Sequence, residues 1–147
     1  MLIRKTHTSS ADDGDEFIFS DATVDRYGDS IDPNGWDIRN FLRNPIALFG
    51  HQGGFPIGTW KNVQVKDGAL RGRLVMAAKG TSARIDELRA LRDAGILKAV
   101  SVGFSPIESE PLMQTGGTKY VRSELVEVSL VSVPANPNAM EISKAWV

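Results

Sequence analysis

The chain has 147 residues, 41% hydrophobic and 24% charged, the composition of an ordinary folded domain rather than a disordered or fibrous one. Its 17 Lys and Arg against 18 Asp and Glu leave a net charge of −1, which excludes a strong field for a phosphate backbone or an anionic membrane. Cysteine is absent, so thiol catalysis, cysteine-ligated zinc and disulfides are excluded, and a nucleophile must be an oxygen or a lysine.

A chain of this length buries roughly two-thirds of its unfolded surface, and a single domain over 1–147 is expected. Residues 1–15, which hold His7, read as a loose N-terminus without the apolar core of a signal peptide. No run of about 18 apolar residues is present, so no membrane partner is expected. Glu16-Phe-Ile-Phe-Ser predicts the first strand. From Val24 to Trp36 the sequence is dense in turn formers and predicts a structured loop. Its acids invite a calcium frame, but alignment on Asp32, Asn34 and Gly35 puts Phe41 where the bidentate Glu belongs, so no metal is expected.

An apolar run, Asn44-Pro-Ile-Ala-Leu-Phe-Gly-His-Gln, ends at His51. Two β-rich stretches, 57–66 and 69–76, flank Asp67-Gly68 and predict a hairpin. Apolar Ile85, Leu88 and Leu91, with Thr81 or Ser82 as N-cap and Gly95 as stop, predict one amphipathic helix over residues 82–94. In the strand after it, alternation puts Val100, Val102 and Phe104 on one face and Ala99, Ser101 and Gly103 on the other. Residues 109–118 read as a flexible loop, and Lys119 to Val133 as one long or two successive strands in which Val126, Val128 and Leu130 alternate with Glu127, Ser129 and Val131. Residues 134–147 read as a C-terminal tail beginning at Pro134. The fold class expected is mostly β with helices, α+β.

His is the side chain whose unperturbed pKa suits proton transfer near neutrality, and His51 is the candidate general base. Ser101 is the candidate nucleophile, because the small flanks Ala99 and Gly103 leave room for a substrate carbonyl. Glu127 is the candidate orienting acid, with Glu124 in reserve, since an inward carboxylate in a strand calls for a partner. Each has an ordinary reading too: a surface histidine, a serine between valines, a solvent-facing glutamate on a half-exposed sheet.

Four stretches together resemble the prohead (capsid maturation) serine protease family of tailed bacteriophages. They are the Val24 to Trp36 segment, Asn44-Pro-Ile-Ala-Leu-Phe-Gly-His, Ala99-Val-Ser-Val-Gly-Phe, and Glu124-Leu-Val-Glu-Val-Ser-Leu-Val-Ser-Val-Pro-Ala-Asn-Pro. The resemblance implies His51 and Ser101 as catalytic residues and Glu127 as the third member. It implies a small, mainly antiparallel β-barrel similar to the herpesvirus capsid proteases. The function implied is a serine endopeptidase needing no cofactor, which cuts scaffold protein and N-terminal segments of the major capsid protein, and also itself. It would act within the assembling procapsid in the bacterial host cytoplasm, as a dimer or higher homo-oligomer and without nucleic acid. The alternative is a non-enzymatic phage structural or assembly module on the same barrel. A metal-dependent hydrolase is poorly served by two histidines without HExxH spacing.

Overall fold

A computed structural model describes residues 15–142. His7 and, apart from Asp15, the expected loose N-terminus lie outside the described residues, as does the tail beyond residue 142.

Strand β1, Asp15–Asp21, carries Phe17 and Phe19 inward, both essentially buried. Their rings meet Trp60 edge-on at centroid separations of 5.6 and 4.7 Å, a favourable aromatic geometry. Trp60 belongs to β5, Gln52–Lys66, which turns at Asp67-Gly68 into β6, Ala69–Met76, as the hairpin signal predicts. The two turn residues have φ of 54° and 77°, the left-handed pair that a two-residue hairpin turn demands. Helix α2, Ala83–Asp93, covers the core with Ile85 and Leu88. Ser82 Oγ accepts the Ile85 N–H at 3.1 Å, and Gly95 follows at φ 76°, so both ends are stopped as their residues suggest.

The Val24 to Trp36 stretch is built around short strands β2, Ser30–Ile31, and β3, Trp36–Asp37. Its acids cap turns: Asp25 Oδ1 accepts the N–H groups of Tyr27 and Asp29, and Asp32 Oδ1 that of Asn34. A short helix α1, Arg39–Arg43, buries Phe41 and leads into β4, Ile46–Phe49.

Two long strands complete the sheet: β7, Ala99–Leu112, and β8, Gly117–Val131, paired antiparallel along their whole length. The other edge of β8 is shared in succession by β2, β3 and β4, all parallel to it. The remaining order is β4, β5, β6, β1, each pair antiparallel. The sheet is therefore mixed but mainly antiparallel, and it curls into a barrel-like form. Residues 139–142 lie between its two ends. Val100 N–H donates to Ala139 O and Glu141 N–H to Lys98 O on the β7 side, while Ile18 N–H donates to Met140 O and Ile142 N–H to Glu16 O on the β1 side.

Three expectations are corrected. The loop over 109–118 shrinks to a turn at 113–116, because β7 and β8 pair out to Leu112 and Gly117; residues 105–111 are all exposed, with Ile107 the one large apolar side chain among them, so no apolar alternation marks the strand. Of the tail expected over 134–147, residues 139–142 form a seam bonded to both β7 and β1. Val126 does not alternate inward with Val128 and Leu130: the register passes from Phe104–Leu125 to Gly103–Glu127, so Val126 is an extra residue, expelled to 57% exposure.

Candidate active site

The β4–β5 connection is the tightest available. Phe49 pairs with Gln52, and Gly50 and His51 between them have φ of 63° and 61°. A left-handed backbone disfavours most side chains, although His tolerates it better than β-branched residues. Two bonds from outside the hairpin secure it. Gly50 N–H donates to Leu130 O at 2.9 Å, and His51 N–H donates to Ser129 Oγ at 3.0 Å. The imidazole is thus carried on a pinned turn, with its side chain 43% exposed.

The bulge at Val126 sets the parity of β8 so that Glu127 and Ser129 share a face with their register partners Gly103 and Ser101. Glu127 Oε2 bonds His51 Nδ1, and Glu127 Oε1 accepts the Ser129 hydroxyl at 2.7 Å. With its Nδ1–H donated to a carboxylate, an imidazole presents Nε2 as the basic nitrogen. Glu124 is engaged elsewhere, accepting from Asn40 Nδ2 at 3.0 Å.

Ser101 and His51 line one cavity of about 270 Å³, whose walls include Val102, Phe104 and Tyr120. Among the described residues no hydrogen bond joins Ser101 Oγ to the imidazole. Such bonds are often long before a substrate is bound. The expected reason for small flanks around Ser101 is corrected: Ala99 is buried at 2% exposure, and the space over Gly103 is filled by Glu127, whose Cγ and Cδ lie 2.9 Å from where a Cβ would stand. Gly53 and Gly54 lie at the exposed start of β5, where a Cβ would meet nothing.

Asp21, Asp25 and Asp29 also line the cavity. For Asp21, burial acts to raise the pKa, but hydrogen bonds from Asn136, Asn138 and Thr23 outweigh it and hold the carboxyl below its ordinary 3.8. No cluster of three or more metal-ligating side chains occurs among the described residues, and no described helix is long and apolar enough to cross a membrane. Sequence reasoning missed Gly50 and Ser129. Gly50 beside His51 was the available signal for a turn; Ser129 had none, since its role depends on register.

An imidazole held by a carboxylate, with a cavity-lining hydroxyl on the adjoining strand, is a site suited to hydrolytic acyl transfer. Residues 16–146 match the family described as caudovirus prohead serine protease, and the chain belongs to that family. It is 32% identical over 119 residues to the prohead protease of Escherichia phage T5, an alignment covering 78% of this chain and 55% of that protein. It is 29% identical over 129 residues to the capsid polyprotein of Pseudomonas phage PAJU2, covering 83% of this chain and 18% of the polyprotein. The chain thus spans about half the length of its T5 relative. No solved structure matches it.

Proposed function

We propose that this chain is a prohead maturation serine endopeptidase in which Ser101 attacks, His51 moves the proton and Glu127 orients the imidazole. The observation that carries this is the bond between His51 Nδ1 and Glu127 on the sheet face that also bears Ser101. In the first half-reaction His51 Nε2 takes the Ser101 hydroxyl proton as Oγ adds to a peptide carbonyl. The protonated imidazole then gives that proton to the leaving amine, and an acyl-enzyme forms. Water, deprotonated by the same nitrogen, releases the acid and restores Ser101. Glu127 keeps Nδ1 protonated and offsets the imidazolium charge in both halves.

The substrates proposed are scaffold protein, the N-terminal segment of the major capsid protein, and the protease itself, inside the immature shell in the host cytoplasm. The names of the two relatives, a prohead protease and a capsid polyprotein, support this class of target. Homo-oligomerisation, driven by concentration within the shell, is the proposed means of confining activity. The test is mass spectrometry of the capsid precursor encoded alongside this chain, incubated with the protein and with its Ser101→Ala and His51→Ala variants. Both variants should keep their circular dichroism and yield no product. Cleavage by either folded variant overturns the assignment.

A further inference from the structure

Ser129 is fully buried, at 0% exposure, and cannot meet a substrate. Its hydroxyl nevertheless joins the two halves of the acid–imidazole pair, which come from segments 76 residues apart. The direction of these bonds is fixed by chemistry. A backbone N–H only donates, so Ser129 Oγ accepts from His51 N, and its single proton goes to Glu127 Oε1. With Oε1 held, Oε2 is the oxygen left to face His51 Nδ1. A glutamate carboxyl otherwise rotates within a broad torsional well, and a left-handed turn residue has other backbone states open to it. One buried hydroxyl removes both freedoms. Ser129 is also the register partner of Ser101, so the strand pair that carries the proposed nucleophile carries this clamp.

We propose that Ser129 is a positioning residue: its hydroxyl fixes the Glu127 carboxylate and the His51 turn together, holding His51 in the Nδ1–H tautomer with Nε2 turned to the cavity. This rests on the reading of His51 as the general base. It differs from a serine that merely satisfies a buried amide, whose loss would lower stability without altering the imidazole.

The chain has two histidines, so His7 is an internal reference for ring-nitrogen chemical shifts of uniformly labelled protein. At about pH 8 His51 should show one tautomer in the parent protein. Ser129→Ala should show a mixture at His51, an unchanged His7, and a kcat lowered on the order of 10- to 100-fold at nearly constant KM. Parent-like tautomer and kcat in a folded Ser129→Ala protein overturn the proposal. If Ser129→Ala fails to fold, Ser129→Cys, with its weak donor, takes its place in the same comparison, and the same two outcomes decide it. The tautomer is read without substrate, so its outcome is independent of the protease assignment. Cleavage surviving in Ser101→Ala would sink that assignment alone, whereas an unchanged tautomer beside an inactive Ser101→Ala would sink the role of Ser129 alone.

Discussion

At the residue scale the site depends on what is missing at position 103 as much as on what is present at 127. The Glu127 side chain lies where a Cβ on Gly103 would stand, and the bond to His51 Nδ1 is made from that position. Gly103→Ala should leave the fold intact, since the strand stays paired and the carboxyl can swing outward. It should lower the rate of capsid-precursor cleavage on the order of 100-fold, the scale of a misplacement of about 1 Å. An unchanged rate would mean that the carboxylate position does not matter to turnover. His51 and Ser101 can be singled out in the sequence because one has a scarce chemistry and the other small neighbours. The use of Gly103 cannot be read there, because which residue lies over a glycine depends on the register of the neighbouring strand. Ser129 is hidden for the same reason: nothing in the sequence says that the backbone of residue 51 comes to rest on it.

At the element scale, legibility follows how much of the signal is local. The hairpin at Asp67-Gly68 and helix α2 carry their turn and cap residues within their own segments, and both form where the sequence puts them. The β4 turn uses Gly-His in place of Asn-Gly, and residues 105–111 of β7 are exposed on both faces, so neither carries a usable pattern. The two tight turns allow a clean comparison. Gly68 has φ 77° and a Cβ there would touch nothing, so Gly68→Ala incurs only the left-handed penalty. Its urea midpoint should fall by an amount equivalent to about 1–2 kcal/mol, with cleavage activity unchanged. A loss of activity matching the loss of stability would show that the Asp67-Gly68 turn reaches the site, which its place at the opposite end of the 15-residue strand β5 from His51 argues against.

At the scale of the whole molecule, the curl of the sheet depends on residues 139–142 bonding to β7 and β1 at once. Polar side chains hold both ends of this seam. Arg92, 8% exposed, reaches from α2 to Asp15 and to Glu141 while lying against the Phe17 ring. Just upstream, Asp21 at the end of β1 accepts the side-chain amides of Asn136 and Asn138, each at 2.9 Å. Because these bonds hold the Asp21 carboxyl below 3.8 against the opposing effect of burial, its contribution has a definite pH sign. The charged form is favoured by folding, so the stabilisation is complete above the unfolded value of 3.8 and is lost as pH falls through the folded value beneath it. Asp21→Asn should therefore lower the urea midpoint at pH 7 by an amount equivalent to about 1 kcal/mol, a modest figure because the group is only part-buried. The gap between parent and variant should narrow as pH is taken below 3.8. Asp37, held at about 2 by hydrogen bonding from the Arg39 side chain, titrates in a similar window, but it does so in both proteins and cancels in the difference. A gap that stays constant from pH 7 to pH 3 would show that Asp21 acts on the seam by shape alone. A gap that closes would make the charged Asp21 carboxylate one of the ties that hold the curled sheet together, on the wall of the cavity that Ser101 and His51 share.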